Sequence, residues 1–330
     1  MEQQPCRTFP RAACVILANP YVQTLLLVEG ILLFLGLIAL LASLRIGLDF
    51  NPRLTTSYQY GLNKKSYLVG TIIMFILLLK LPLFFFFIWV IDGLSLHVLG
   101  AMCGAGIVSA TPWGAWMFFV KILTLFLLCA WILLHRVDLS ETTYPFTRKK
   151  FLLFQGLFFI LVVEFLLELA HFLNIPTDTP VACCSVLFDQ TSNNPWYENS
   201  LILGFFFGLY GLLGLLCYLR RPILFSLSSF LWMAVTIQAL IRFFSPYVYE
   251  LPTHKCPFCL LQSEYYFVGY FIYLLLFLGG LGALFALVSA TLQRPVKNFW
   301  YTLSFTCNTL LVMVLSAYPL GYFLRNGVWL

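Results

Sequence analysis

The sequence predicts an all-α fold, a polytopic transmembrane helix bundle of about eight spans with both termini on the extracytoplasmic side. Of the 330 residues, 61% are hydrophobic and only 10% are charged, whereas about 25% are charged in an ordinary soluble domain. A soluble fold could not cover so much apolar surface with so few charges. The same composition excludes a disordered tail and a nucleic-acid-binding domain, and it favours a lipid bilayer as the solvent.

Hydrophobic runs long enough to span a membrane follow one another along the whole chain. A helix crosses the hydrocarbon core with about 20 mainly apolar residues. The segments that satisfy this lie at about 21–45, 66–91, 113–134, 151–173, 200–218, 223–246, 264–290 and 300–322. The runs are continuous and rich in Leu and Phe, whereas a lipid-facing barrel strand alternates over about 10 residues. We therefore expect a short N-terminal interfacial segment at 1–20 and a single eight-helix domain at 21–330.

The distribution of Lys and Arg predicts the orientation. Most of the 19 Lys and Arg residues lie in the loops after the first, third, fifth and seventh segments, and the loops near 92–112 and 174–199 contain none. Because cytoplasmic loops carry the excess of Lys and Arg, these basic loops are expected to face the cytoplasm. The prediction is an integral protein of the bacterial inner membrane. Its expected partners are the lipid bilayer and an extracytoplasmic thiol protein or other membrane subunits, and not nucleic acid.

Cysteine and histidine collect in the loops predicted to lie outside. Thiolate and imidazole groups of this kind ligate soft or borderline metals such as Cu(I), Zn and Hg. Outer cysteines also form disulfides in an oxidising compartment, so both alternatives are open. The candidate metal ligands are Cys103, Cys183, Cys184, Cys256, Cys259, His97, His171 and His254. Their convergence is inferred from shared sidedness.

The most specific motif is Cys256-Pro-Phe-Cys259, which we expect at the start of the seventh membrane helix. Two thiols at an amide-rich helix N-terminus are favoured as thiolates. This stretch resembles the Cys-Pro-x-Cys of bacterial vitamin K epoxide reductase homologues and, more distantly, the disulfide-bond formation proteins of the inner membrane. Those proteins pass electrons from an outer cysteine pair to a helix-mounted pair and then to a quinone.

The resemblance implies catalytic roles for four cysteines. Cys256 and Cys259 would be the quinone-proximal pair, and Cys183, Cys184 or Cys103 would supply the relay. We expect Arg242 and His254 to tune the thiolate at the cofactor site. The cofactor is then a quinone, or a soft metal ion if the thiols act as ligands.

Ionisable residues also lie within the predicted spans. Glu29, Lys80, Lys121, Glu164 and Glu168 fall in the outer half or near the middle at about 1.5 Å of rise per residue. Such groups cost several kcal/mol unless they are paired or hydrated, so they mark functional sites by default. Glu164, Glu168 and His171 share one helix face by their spacing. We expect either a structural ion-pair network or an intramembrane polar path for a proton or metal ion.

Three functions follow from these observations. The first is thiol–disulfide exchange at the outer surface, linked to a quinone. The alternative is a permease or accessory subunit for transport of a soft metal ion, and the second alternative is a structural membrane subunit of a larger complex. The chain has no phosphate-binding Walker motif and no dinucleotide-binding loop, so ATP hydrolysis by this chain is not expected.

Overall fold

A computed structural model describes residues 16–50, 56–141, 144–182 and 195–330. All regular structure in these ranges is helical, which confirms the predicted all-α class. The α-helices are α1 (Pro20–Asp49), α2 (Ser57–Leu94), α3 (Gly104–Ser109), α4 (Gly114–Leu139), α5 (Thr147–Asn174), α6 (Pro195–Tyr218), α7 (Pro222–Ala239), α8 (Ser245–Tyr249), α9 (Val268–Thr291) and α10 (Asn298–Asn326).

The described part of the chain contains eight helices that are long and apolar enough to cross a membrane. One of these crossings is continuous from Pro222 to Tyr249, because a π-helical turn at Leu240–Phe244 joins α7 to α8. Each of the eight predicted segments overlaps one of these helices. These helices are typical of an integral membrane protein, as the sequence predicts.

The helices differ from the predicted spans mainly at their ends. Helix α2 begins at Ser57 and α5 at Thr147, each before the hydrophobic run starts. Lys and Arg are good helix formers, so the basic residues at these ends extend the helices beyond their apolar parts. Helix α9 begins later than expected, at Val268, because Tyr266 and Phe267 adopt left-handed backbone conformations that end the preceding turn.

The chain divides into two compact units, one ending at Val181 and the other beginning at Ala182. In the first unit, α5 packs against α1 and α4, while α2 packs against the same two helices. We use "Cys103 end" for the end of this unit where α2 and α5 finish and α1 and α4 begin, and "Lys150 end" for the opposite one. An apolar core fills the Cys103 end and includes Leu25, Leu32, Phe87, Met117 and Phe172.

In the second unit, α9 packs against α7 and α10, and α6 packs against the same two helices. The α9–α10 contact depends on Gly279, where a Cβ atom would lie only 2.0 Å from the Oδ1 atom of Asn308. The Ser304 hydroxyl donates to the Gly279 carbonyl at 2.7 Å. The absence of a side chain at Gly279 thus lets α9 lie close to Asn308 and Ser304 of α10.

Most of the predicted interfacial segment at 1–20 lies outside the described residues, and the single eight-helix domain stays a prediction.

Candidate functional sites

The five intramembrane charges come together inside the first unit. The Lys121 Nζ atom lies 2.6 Å from Glu29 Oε1, 3.0 Å from Glu164 Oε1 and 2.8 Å from Glu168 Oε2. Lys80 Nζ lies 2.9 Å from Glu164 Oε1 and 3.3 Å from Glu29 Oε2. All five side chains are buried. Four helices, α1, α2, α4 and α5, each contribute to this charge network, so their packing positions every member.

The network has more acids than bases. If every group is ionised, its three carboxylates and two ammonium groups leave one negative charge in a buried site. A net charge in the membrane interior is costly, so the neutral network must hold one additional proton or cation. Within the described residues, Glu164 Oε2 and Glu168 Oε1 have no hydrogen-bond partner. These oxygens are available to carry that proton.

A small cavity adjoins the network. Its volume is about 10 Å³, and its lining includes Glu29, Lys80, Lys121, Glu164 and Thr124. A space of about 10–15 Å³ can hold one water molecule. The hydroxyl of Thr124 is buried and has no hydrogen-bond partner among the described residues. The site therefore combines room for a water molecule with polar atoms that such a molecule would satisfy.

His171 continues the polar face of α5 towards the Cys103 end. Its Nδ1 atom lies 2.6 Å from the Thr111 hydroxyl, and its Nε2 atom is buried without a hydrogen-bond partner among the described residues. Gly114 makes room for the ring, since a Cβ atom there would lie 2.9 Å from His171 Cε1. Thr111 and His171 thus form a polar contact beside the apolar core. His171 lies one turn after Glu168 on α5, nearer the Cys103 end.

The second candidate site is the thiol pair of the second unit. The Sγ atoms of Cys256 and Cys259 lie within 4.8 Å of each other, and both residues are present as thiols. Cys256 is 1% exposed and Cys259 is 4% exposed. Two thiols at this separation can close to a disulfide after side-chain rotation, or they can bind one soft metal ion together.

The prediction that this motif opens the seventh membrane helix is wrong. Cys259 begins a short 3₁₀ helix, Cys259–Leu261, and α9 starts only at Val268. The motif instead lies folded against the first turn of α9, because Gly269 allows the backbone of Leu260 to approach closely. The thiols are consequently held by a packed loop and not by the amide groups of a long helix.

Tyrosines hold this loop from two helices. The Tyr273 hydroxyl of α9 donates to the Pro257 carbonyl at 2.7 Å, and the Tyr249 hydroxyl of α8 donates to the Cys256 carbonyl. The Tyr249 and Tyr265 rings meet edge to face with their centroids 4.4 Å apart. Burial, Cys259 and Glu264 raise the pKa of Tyr265, so this phenol stays protonated at neutral pH. The surroundings of the thiols are thus aromatic, with hydroxyl groups directed at the backbone.

The two residues predicted to tune the thiolate occupy different parts of this unit. The His254 ring contacts Tyr249 edge to face at a centroid distance of 4.3 Å. Its Nε2 atom is buried and has no hydrogen-bond partner in the described ranges. Arg242 lies in the π-helical turn between α7 and α8, an irregularity that is frequent at functional sites. Their roles at a cofactor stay predictions.

The remaining predicted ligands are only partly described. Cys103 is a buried thiol at the N-cap of α3 in the first unit. His97 ends a 3₁₀ turn after α2 and is exposed. Cys183 and Cys184 lie outside the described residues.

Sequence reasoning missed a second buried ion pair. Asp138 and Lys150 are 2.6 Å apart at the Lys150 end of the first unit, and Asp138 is fully buried. Asp138 also accepts hydrogen bonds from the Phe146 amide and the Thr147 hydroxyl, each at 2.8 Å. The sequence did not predict this pair because both residues flank hydrophobic runs and were therefore assigned to loops. The available signal was an acid at the end of one hydrophobic run followed, 12 residues later, by a lysine at the start of the next.

No protein-family model, no curated protein and no solved structure matches this chain.

Proposed function

We propose that the protein performs thiol–disulfide exchange at Cys256 and Cys259. The observation that carries this proposal is the separation of at most 4.8 Å between two buried thiols in one loop. A dithiol in a single loop can become a disulfide without a large rearrangement, because only the two side chains must rotate. The hydrogen bonds from Tyr249 and Tyr273 hold the backbone on which that rotation occurs.

The reaction balances as an exchange of two electrons. A thiolate of an outer dithiol protein attacks the disulfide between Cys256 and Cys259, releases one thiolate of the pair and forms a mixed disulfide. The second thiolate of that protein then attacks the mixed bond, so the protein becomes a disulfide and the pair becomes a dithiol. A quinone next accepts two electrons and two protons from the reduced pair, which returns to the disulfide while the quinone becomes a quinol. Cys183 and Cys184, or Cys103, would connect the pair to an extracytoplasmic thiol protein, while Arg242 and His254 would tune its thiolate.

This proposal requires the thiol loop to face an oxidising compartment. We propose that both termini are extracytoplasmic and that the membrane is the bacterial inner membrane. The support is the concentration of Lys and Arg in alternate loops, which the positive-inside rule assigns to the cytoplasm.

Thiol trapping tests the redox proposal. Membranes that contain the full chain are acid-quenched and alkylated with a mass-tagged maleimide, before and after addition of a short-chain quinone. We expect two thiols to disappear on oxidation in the wild type, and not in Cys256→Ser or Cys259→Ser. Cys307→Ser is the matched control, since Cys307 is a buried thiol of α10. An unchanged thiol count with quinone and with a disulfide oxidant would contradict the proposal.

The second candidate is a permease or accessory subunit for a soft metal ion such as Cu(I), Zn or Hg. The observation that favours it is the charge network with its excess carboxylate and unpartnered oxygens. Carboxylate ligands suit hard cations better than soft ones. The network would therefore carry the counter-proton, with Glu164, Glu168 and His171 as the path, while thiols capture the metal.

Proteoliposomes separate this candidate from the first. A metal gradient is applied to vesicles with an entrapped pH dye, and proton movement is followed. We expect Glu168→Gln to abolish metal-driven proton movement, while Glu250→Gln, which alters an exposed carboxylate, leaves it unchanged. Equal proton movement in the wild type, in Glu168→Gln and in empty vesicles would exclude transport.

A further inference from the structure

A large cavity at the Lys150 end of the first unit belongs to neither site described above. Its volume is about 320 Å³, and it lies between the start of α2, the end of α4 and the start of α5. Small-molecule sites in proteins occupy about 300–1,000 Å³. The cavity is therefore large enough to hold a small ligand or the headgroup of a larger one.

Groups that donate hydrogen bonds or carry positive charge dominate the cavity lining. They include Lys64, Lys150 and His135, together with Tyr60, Tyr67 and Tyr144. The nearby acid, Asp138, is not part of the lining, and its oxygens already accept bonds from Lys150, Thr147 and the Phe146 amide. Asp138 balances Lys150, so the positive charge of Lys64 remains for a ligand.

His135 supplies an independent indication of a ligand. The residue is 6% exposed, and its ring stacks on Trp131 with the centroids 4.9 Å apart. Gly70 lets the ring lie against α2, since a Cβ atom there would come within 2.9 Å of His135 Cε1. Its Nδ1 atom has no hydrogen-bond partner anywhere in the described ranges. Buried polar atoms are nearly always satisfied in folded proteins, so an external group is the missing partner.

We propose that this cavity binds a phosphate group of an anionic ligand. Phosphate oxygens accept short, charge-assisted hydrogen bonds from ammonium groups and additional ones from hydroxyl and imidazole groups. These are the donor types that Lys64, His135 and the tyrosines present. The two sources of such a group are an acidic phospholipid headgroup and a soluble phosphate ester.

The surroundings of the cavity favour the lipid as the source. Tyr60 and Tyr67 are 77% and 70% exposed, and tyrosine is enriched where membrane helices meet the headgroup region. Basic pockets between the ends of transmembrane helices bind acidic headgroups. The acyl chains of such a lipid would lie along the exposed apolar face of α2, where Leu68 is 62% exposed.

Binding measurements on the purified full chain in a non-ionic detergent test this proposal. The probes are dioctanoyl phosphatidylglycerol, dioctanoylglycerol (which lacks the phosphate) and glycerol 1-phosphate, with dissociation constants taken from ligand-induced shifts of the unfolding temperature. We expect phosphatidylglycerol to bind and dioctanoylglycerol not to bind. Loss of one basic contact in Lys64→Gln should weaken binding about fivefold.

Lys65→Gln is the matched control, because Lys65 is an exposed neighbour that does not line the cavity. If Lys64→Gln weakens the binding of phosphatidylglycerol, Lys65→Gln does not, and glycerol 1-phosphate shows a much smaller effect, the result supports the site with a lipid source. Tight binding of glycerol 1-phosphate with the same dependence on Lys64 supports the site with a soluble source. Absence of binding for both phosphate compounds, or equal weakening by the two substitutions, overturns the proposal.

Discussion

At the residue scale, Lys121 is the centre of the charge network. Its ammonium group contacts three carboxylates, and it also lies 4.6 Å from the centroid of the Phe87 ring. A buried ion pair gains little over apolar residues, but removal of one partner leaves an uncompensated charge that is strongly unfavourable. The stability of the first unit should therefore depend more on Lys121 than on any exposed lysine.

Replacement of Lys121 by Met tests this dependence. Three buried carboxylates would then share Lys80 alone, so we expect the free energy of unfolding to fall by about 3–5 kcal/mol. The measurement is reversible unfolding in mixed detergent micelles, with Lys65→Met as the exposed control. The double substitution Lys121→Met, Glu168→Gln should recover part of the loss, because it removes one negative charge. Equal stability of Lys121→Met and Lys65→Met would contradict the proposed role.

A smaller effect is expected at the Thr111–His171 contact. In Thr111→Val, the His171 Nδ1 atom loses its hydroxyl partner in a buried site. An unsatisfied buried group costs about 1–3 kcal/mol, and the unfolding free energy should fall by that amount. Thr24→Val serves as the comparison, since the Thr24 hydroxyl bonds the Pro20 carbonyl at an exposed position. A larger loss in Thr24→Val than in Thr111→Val would refute this account.

The sequence could predict which residues carry buried charge but not which of them touch. Glu29, Lys80, Lys121, Glu164 and Glu168 stand out because any ionisable group in an apolar run is conspicuous. Their contacts depend on which helices are neighbours, and hydrophobic runs of similar composition do not specify that. The sequence did not indicate the Asp138–Lys150 pair for a related reason. Charged residues are common at the ends of membrane spans, so their presence there does not predict burial.

At the element scale, long helices were predictable and short irregular segments were not. A run of about 20 apolar residues has few alternatives to a helix in a bilayer. The turn at Cys259–Leu261 has no such constraint, and the aromatic residues Tyr266 and Phe267 seldom adopt positive φ angles. No local sequence pattern predicts the 3₁₀ turn or these two positive φ angles. The displacement of the thiol motif from the start of α9 therefore appears only in the structure.

The α9–α10 contact gives an element-scale prediction. In Gly279→Ala, the new Cβ atom would overlap Asn308, which is 1% exposed and has little room to move. Overpacking of this kind costs about 1–3 kcal/mol, so the unfolding temperature should fall. In Gly204→Ala on α6, nothing lies within 4 Å of the added atom, and we expect stability to be unchanged or raised. A lower unfolding temperature for Gly204→Ala than for Gly279→Ala would refute the close contact.

At the scale of the whole molecule, two kinds of charged residue stand out in the ranges that the structure describes. Some are buried and paired inside the first unit, as in the charge network and at Asp138. Others are exposed at the ends of helices, as at Lys64 and Arg148. The exposed kind sets the orientation of a membrane protein during insertion, because translocation of Lys and Arg is disfavoured. The buried kind contributes little to orientation, since its members offset one another.

This division yields a prediction about topology. If the exposed Lys and Arg set the orientation, the C-terminus should lie outside the cytoplasm. Fusion of the full chain to alkaline phosphatase, which needs an oxidising compartment to form its disulfides, should then give an active enzyme, and fusion to green fluorescent protein through the Sec route should give a dark one. Replacement of the exposed Lys64 and Lys65 by Gln weakens the bias and should lower the phosphatase activity per amount of fusion protein. Lys121→Met removes a buried charge, so it should leave this ratio unchanged even though it lowers the amount of folded protein. A fluorescent protein fusion together with an inactive phosphatase fusion would place the C-terminus inside. The thiol loop would then lie on the reducing side of the membrane. Disulfides rarely persist there, so quinone-linked oxidation of Cys256 and Cys259 could not maintain a disulfide in a partner protein.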